Sequence, residues 1–421
     1  MSRLQVFFLI LTIILLLVDL YAFKGVWNLS RNASSVWKSV WRWGYWIPTA
    51  VTLGGLVYVF LNFNEMSENR DFGFAYWLVA FTMVFFIPKL FFSVFHIVDD
   101  LVHFVRWIVA KWQPQPTGEG VKINRLQFIN QAGLAVSAVV FAGMFYGVTS
   151  GRFAFRFIKK NLRFTNLPPA FDGLRIVQIS DAHLGSFLGK GKKEVARVFE
   201  KVNALNPDLI LFTGDMINNY AIESDEWIDL FSKLKAREGK FAILGNHDYG
   251  DYVNWPDSEA RNENLNNLKK NIAKMGFGLM LNQSSILEKE GQKIAIIGVE
   301  NWGVGFHRHG DLQRAKAGTE DIDFKILMSH DPTHWEEQVV GKEKIDLTLS
   351  GHTHGMQFGL EIPTLGIKIS PARLRYKHWG GLYKENDQFI YVNRGFGYLG
   401  FPGRVGMPPE VTVFDLARIT G

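Results

Sequence analysis

Seven side chains able to donate oxygen or nitrogen to a metal ion follow short apolar runs in the second half of the chain. Residues 174–180 run into Asp181 and His183, residues 208–213 into Gly214-Asp215, and residues 240–244 into Gly245-Asn246-His247-Asp248. Residues 293–298 form a similar run without such an ending. Residues 324–328 lead to Ser329-His330, and residues 346–349 to Ser350-Gly351-His352-Thr353-His354. Runs of this length, rich in β-branched and aromatic residues and bounded by polar turns, predict strands. Helical patterns over residues 192–206, 223–236 and 259–275 alternate with them, which predicts an α/β layered fold. Open α/β sheets bind ligands at the carboxyl ends of their strands, so these groups are expected to converge in one crevice. Asp181, His183, Asp215, Asn246, His330, His352 and His354 exceed what one ion needs. Two ions sharing a carboxylate is the natural count, and mixed imidazole and carboxylate suits Mn, Fe or Zn better than Ca or Mg.

Each piece is weak alone. Asp-x-His is common, Gly-Asp caps many turns, Asn-His-Asp can start a helix, and Gly-His-Thr-His can be two surface imidazoles. The whole set, in order and each at a strand end, carries the weight. As a set, Asp181-Ala182-His183, Gly214-Asp215, Gly245-Asn246-His247-Asp248, the lone His330 and Gly351-His352-Thr353-His354 resemble the pattern of the calcineurin-like metallophosphoesterases. The resemblance covers residues 171–417. The closing stretches Tyr391 to Gly397 and Pro408 to Val411 look like the branch of bacterial membrane-associated phosphodiesterases. It implies a four-layer β-sandwich flanked by helices. It also implies that Asp181, His183 and His354 hold one divalent ion, that Asn246, His330 and His352 hold a second, and that Asp215 bridges them. His247 would be no ligand but a donor to the phosphate or the leaving group, oriented by Asp248.

The chemistry fits those roles. Two cations about 3.5–4 Å apart can hold a phosphate and ionise a water for attack at phosphorus. A carboxylate can bridge two ions, a neutral imidazole has one free lone pair, and a histidine suits proton donation near neutral pH. The expected activity is metal-dependent hydrolysis of a phosphodiester or pyrophosphate bond by a dimetal-activated hydroxide. The rival reading is a non-catalytic membrane receptor or scaffold on a phosphoesterase fold; retention of every ligand residue argues against it.

Positioning these groups falls to a chain of 421 residues, 48% hydrophobic and only 20% charged, which excludes disorder. It has no cysteine, so disulfides, thiolate metal sites and cysteine nucleophiles are excluded. The net charge of +6 comes with no long basic run, and no nucleic-acid binding is predicted. Charge is unevenly spread: the first 150 residues carry 11 of the 46 Lys and Arg, 7 of the 40 Asp and Glu, and 8 of the 13 Trp. Residues 1–150 therefore read as a membrane region, 151–170 as a linker, and 171–421 as the phosphoesterase domain.

A membrane-crossing helix needs roughly 20 apolar residues. Four segments qualify, at residues 4–23, 44–63, 72–95 and 127–149, which predicts a multi-pass integral membrane protein in contact with lipid. Asp19, near the end of the first, reads as a carboxylate snorkelling to the headgroups. The Trp-rich stretch from Trp27 to Trp46, with Lys24, Arg31, Lys38 and Arg42, reads as interfacial, as do residues 96–112 with His96 and His103. The Pro- and Gly-containing residues 113–120 are expected to break the chain. Cations number seven on the side of the large domain and eight opposite, so the positive-inside rule is not decisive. The dense cluster Arg152, Arg156, Lys159, Lys160 and Arg163 favours the cytoplasmic side of a bacterial cell membrane. Fusion of spans to a phosphoesterase makes a lipid-linked substrate the expectation. His307 and His309 read as part of a solvated loop. The basic and aromatic residues from Arg373 to Arg404 could cap the site, bind anionic headgroups or pack.

Overall fold

The computed structural model describes residues 3–68, 72–111, 125–187 and 190–419. It divides into two compact units, Met1–Thr149 and Ser150–Gly421.

The first unit is all helical: α1 (Arg3–Leu29), α2 (Ser35–Glu68), α3 (Gly73–Ala110) and α4 (Arg125–Thr149). Each holds a stretch long and apolar enough to cross a bilayer: Val6–Leu29, Ser35–Met66, Gly73–Val109 and Phe128–Thr149. The helices outrun the apolar segments read from sequence. The two stretches expected to lie at the interface, around Trp37 to Trp46 and over residues 96–110, continue α2 and α3 without a break. A helix does not stop where its apolar run stops, because each added residue completes another backbone hydrogen bond, while Trp, Lys and Arg at its ends reach the headgroups. The expected break at residues 113–120 lies outside the described residues.

Asp19 does not snorkel. It is buried, with Oδ1 2.9 Å from Lys89 Nζ of α3. Thr49 of α2 donates to its other oxygen, and Lys89 also donates to Thr49 Oγ1 at 3.1 Å. The Tyr45 hydroxyl donates to the Asp19 carbonyl at 2.8 Å. This ion pair and its hydrogen bonds join three helices, and they explain how the apolar helices α1 and α3 tolerate Asp19 and Lys89.

The second unit begins with β1 (Arg156–Phe164), inside the stretch expected to be a linker. What hides this strand in the sequence is that its partner is distant. β1 pairs in parallel with β14 (Glu410–Arg418), from Arg156↔Glu410 to Phe164↔Arg418. Next come β2 (Arg175–Ile179), α5 (Lys192–Ala204), β3 (Leu209–Thr213), α6 (Ile228–Phe231), β4 (Gly239–Ile243), α7 (Ser258–Lys274) and β5 (Gly278–Leu279). One sheet has the order β1-β14-β2-β3-β4-β5. The other is built from β6 (Gln283–Lys289), β7 (Gln292–Gly298), β8 (Lys325–Met328), β9 (Leu347–Ser350), β12 (Gly381–Glu385) and β13 (Gln388–Val392), in the order β12-β13-β9-β8-β7-β6. Helix α8 (Leu312–Ala315) and the hairpin β10 (Leu360–Ile362) and β11 (Ile367–Ile369) complete it.

Alternation along the strands builds four layers. Ile176, Leu209, Leu211 and Ile243 of the first sheet face Ile294, Ile296, Ile326 and Leu349 of the second in one buried core. The other face of the first sheet, with Val177, Ile179, Ile210 and Phe212, packs on Val195, Val198 and Phe199 of α5 and Leu268 and Ile272 of α7. The far face of the second sheet, with Ala295, Ile297 and Leu327, packs on Leu312, Ala315 and Trp335. The expected α/β sandwich flanked by helices is the observed fold. The helix expected over residues 223–236 is instead a 3-10 turn, Ala221–Trp227, followed by the single turn α6. Glu223 explains the difference: its carboxylate accepts the backbone N–H groups of Asn218, Asn219 and Tyr220, which fixes the tight turn before a longer helix can start.

Strands β2, β3 and β4 run parallel to one another, as do β8 and β9. The carboxyl ends of each set therefore open on one edge. Gln178, fully buried, donates to Thr213 Oγ1 at 3.0 Å and to the Ser350 carbonyl at 2.9 Å, tying the ends of β2, β3 and β9 together across the two sheets.

Candidate metal centre

The turns that follow these five strands carry the predicted donors into one buried cluster. Five of the seven donor residues have a left-handed backbone: Asp181 (φ 53°), His183 (φ 46°), Asp215 (φ 57°), His352 (φ 71°) and His354 (φ 51°). Side chains other than Gly rarely adopt this region, and such strain persists where surrounding contacts over-determine it. Here it turns each side chain back over the strand end. Two glycines make the approach possible. A Cβ on Gly245 would collide with the Asp215 carboxylate, and one on Gly351 with the Asp181 carboxylate and the Ser180 hydroxyl. The Gly preceding Asn246 and the Gly preceding His352 are thus requirements of close approach.

Two triads result. Asp181, His183 and His354 present ligand atoms within 4.8 Å of one another, and so do Asp215, His330 and His352. Asp215 lies between them, its Oδ2 3.1 Å from His330 Nε2 and 3.5 Å from His183 Nε2. Its Oδ1 accepts the His247 backbone N–H at 2.9 Å. Asn246 donates through Nδ2 to the Tyr252 hydroxyl at 2.7 Å, while its Oδ1 is buried without a hydrogen-bond partner.

The hydrogen bonds behind the imidazoles fix which nitrogens face inward. His330 Nδ1 donates to the Thr213 carbonyl at 2.8 Å, which leaves Nε2 facing Asp215. His183 Nδ1 sits 3.1 Å from Asn218 Oδ1, which leaves its Nε2 lone pair facing His354 Nε2 at 3.1 Å. His352 Nε2 lies 2.9 Å from the Tyr376 hydroxyl and 3.5 Å from Asp331 Oδ2, with Nδ1 turned to His330 Nε2 at 3.3 Å. Arg404 is buried with Nη2 3.2 Å from His354 Nδ1. Lone pairs and carboxylates thus converge on one another, and such a set is stable only around positive charge, either protons or cations. The electrostatics say the same. Burial opposes charging of His183 and brings His352 down to about 4. Burial also works against His330, yet the Asp215 carboxylate overrides it and draws the ring up to about 10. Oxygen and nitrogen donors in this proportion, with the orphaned Asn246 oxygen beside them, fit borderline divalent ions.

His247 belongs to neither triad. Its Nδ1 donates to the Asn218 carbonyl at 2.8 Å, its ring stacks on Tyr252 with centroids 4.4 Å apart, and it meets His183 edge-on at 5.0 Å. The expectation that Asp248 orients it is not met. Both Asp248 oxygens are taken by backbone N–H groups: Asp215 at 2.9 Å, Met216 at 2.8 Å, Ile217 at 3.2 Å and Gly245 at 2.9 Å. Burial and the neighbouring Asp215 charge push this carboxyl up to about 7. Asp248 therefore locks the loops after β3 and β4 together, and the group orienting His247 is Asn218.

Asn218, Tyr376, Tyr252, Asp331 and Arg404 are the supporting residues. Only Tyr376 and Arg404 stood out in the sequence, within the basic and aromatic region; there Trp379, Phe396 and Tyr398 are core residues while Arg373 and Arg375 stay exposed. Asn218, three residues after Asp215, is the one whose position could have drawn notice. His307 is exposed, as expected of a solvated loop, whereas the His309 ring stacks on Tyr249 with centroids 3.9 Å apart. A cavity of about 410 Å³ opens beside Asn246, between Tyr252, Phe306 and His307.

Fold and site together define a metal-dependent phosphoesterase attached to a membrane unit, and comparison with known proteins places it further. Residues 174–356 match the family described as "Calcineurin-like phosphoesterase", and residues 3–152 match "Probable Calcineurin-like phosphoesterase, transmembrane domain". The chain is 32% identical over 307 residues to the uncharacterized metallophosphoesterase YkuE of Bacillus subtilis, covering 70% of this chain and 98% of that one. It is 31% identical over 304 residues to the UDP-2,3-diacylglucosamine pyrophosphatase LpxG of Chlamydia trachomatis, covering 58% of this chain and 85% of that one. A transmembrane protein with metallophosphoesterase domain from Danio rerio is 28% identical over 278 residues, 63% of this chain and 58% of its own length. The chain belongs to the calcineurin-like metallophosphoesterases, and it is a membrane protein and a hydrolase of the phosphoesterase class.

Proposed function

We propose that the chain is a multi-pass phosphohydrolase of a bacterial cell membrane that cleaves a phosphodiester or pyrophosphate bond in a lipid-linked substrate with the help of two divalent ions, Mn, Fe or Zn. The observation that carries this reading is the pair of triads with Asp215 between them. Asp181, His183 and His354 would hold one ion, Asn246, His330 and His352 the other, and Asp215 both. When bound, two such ions neutralise the phosphoryl oxygens and lower the pKa of the attacking water. The chain's own contribution is position and a proton. Asn218 accepts from Nδ1 of His247, which fixes the ring, and in the imidazolium form Nε2 carries the second proton, which it would donate to the leaving oxygen. Asp248 holds the loops carrying Asp215 and Asn246 in register through its four N–H contacts. Burial of the cluster excludes bulk water and strengthens each electrostatic contact.

The lipid-linked substrate is supported by the fusion to four apolar helices and by the likeness to a relative whose name gives it a diacylated nucleotide sugar. A cytoplasmic catalytic unit is supported by the cations that follow α4, four of which lie on β1.

The test uses the full chain in detergent, with metal content measured alongside turnover of a lipid-linked nucleoside diphosphate and of a water-soluble phosphodiester. Two ions per chain are expected, and Asp215→Asn should lose metal and at least about a thousandfold in kcat while keeping its circular dichroism. Full metal content and activity in that variant would end the dimetal reading. Equal kcat/KM on the soluble and lipid-linked substrates would end the lipid reading.

A further inference from the structure

On the membrane unit, α1 and the first turns of α2 enclose a pocket of about 300 Å³ that the phosphoesterase chemistry does not use. Its floor carries two cations one helical turn apart, Lys38 and Arg42, and its walls are Phe23 and Trp27 from α1 and Trp43 and Trp46 from α2. Arg42 lies flat on the Trp27 ring, Cζ 3.3 Å from the centroid, and spends Nε on the Ser30 hydroxyl at 3.2 Å. Among the described residues its terminal Nη groups have no hydrogen-bond partner. Among the described residues neither Lys38 nor Arg42 has a carboxylate partner, whereas Lys24 is paired with Asp100 at 2.7 Å and Lys89 with Asp19 at 2.9 Å.

We propose that this pocket binds the phosphate of an anionic glycerophospholipid. A guanidinium fixed on an aromatic face presents a rigid fork that matches two oxygens of a phosphodiester, and Lys38 adds a second positive charge one turn away. Trp and Tyr concentrate where apolar tails meet headgroups, so the ring-lined wall suits the glycerol and upper acyl region of the same molecule. Both features together select a lipid over a free anion, which would gain nothing from four rings. The site is independent of the metal centre and of the reading given to it.

The test takes the full chain in a zwitterionic detergent and titrates brominated phosphatidylglycerol or brominated phosphatidylcholine, read by tryptophan quenching. Wild type, K38Q/R42Q and R31Q are compared; the last removes a cation at the same end of the helices but outside the pocket. Phosphatidylglycerol should bind the wild type, with about fivefold loss for each pocket cation removed, and R31Q should match the wild type. Soluble glycerol 3-phosphate should fail to displace the lipid. Equal quenching by phosphatidylcholine would overturn the proposal, as would equal losses in K38Q/R42Q and R31Q, or full displacement by glycerol 3-phosphate. If K38Q/R42Q does not fold, R42K keeps the charge and removes the fork; unchanged affinity in R42K would then overturn it.

Discussion

Both units of the molecule bury titratable groups, and they do so by opposite means. In the helical unit Asp19 meets Lys89, with Thr49 donating to the carboxylate and accepting from the ammonium. This buried pair is neutralised within the chain itself. In the phosphoesterase unit Asp215 meets His330 Nε2, and His183 Nε2 meets His354 Nε2. Carboxylates and imidazoles converge there, and the positive charge that balances them comes from protons or bound cations. A third solution lies between them. His334 is buried between the Ser329 hydroxyl at 2.8 Å and Gln338 Oε1 at 3.1 Å, and stays neutral. A self-contained pair serves structure, whereas a cluster left open to an external cation serves chemistry.

Three substitutions probe that contrast. Lys89→Met leaves Asp19 without its cation and should cost about 3–5 kcal/mol, read as a fall in the unfolding midpoint of the full chain in detergent. D19N/K89M should recover most of that loss. A double variant no better than Lys89→Met would mean that the pair matters for more than mutual neutralisation. His247→Gln should lower kcat about a thousandfold with metal content unchanged, because its ring sits outside both triads. The loss should be smaller for a substrate with an acidic phenol as leaving group; an equal loss for all leaving groups would argue against proton donation.

The smallest effect concerns His334. Burial pushes its pKa down from 6.5 to about 4, so the unfolded chain binds more protons between those values. The stability it protects is complete above about pH 6.5 and declines as pH falls towards 4. His334→Gln should remove about 2–3 kcal/mol of that acid sensitivity, measured by comparing the pH dependence of unfolding midpoints with wild type. An unchanged acid limb would show that His334 titrates normally.

How far this was legible in the sequence depends on the reach of each interaction. Ligands sit beside the strands that deliver them, so Asp181, Asp215, Asn246 and His352 announce themselves within a few residues. The left-handed turns that aim them are equally local. What stayed hidden joins distant positions. Asp19 and Lys89 are 70 residues apart, and each alone resembles a charge on its way to the headgroups. β1 looked like a linker because the strand that makes it a strand begins at Glu410. Asp248 misled for a different reason: adjacency to His247 suggested a partnership, but four unpaired N–H groups in the neighbouring turns compete for the same carboxylate and win.

The position of β14 has a consequence for how the protein is made. Although it is encoded near the end of the described chain, it occupies an inner place in its sheet, between β1 and β2. During synthesis β1 and β2 emerge early, with the gap between them unfilled. The helices can enter the bilayer as they appear, but the sheet that carries Asp181 cannot close until Arg418 has left the ribosome. Assembly of the site thus waits on the last strand of its sheet, and a chain cut before Glu410 would keep two exposed strand edges, a ready target for quality-control proteases.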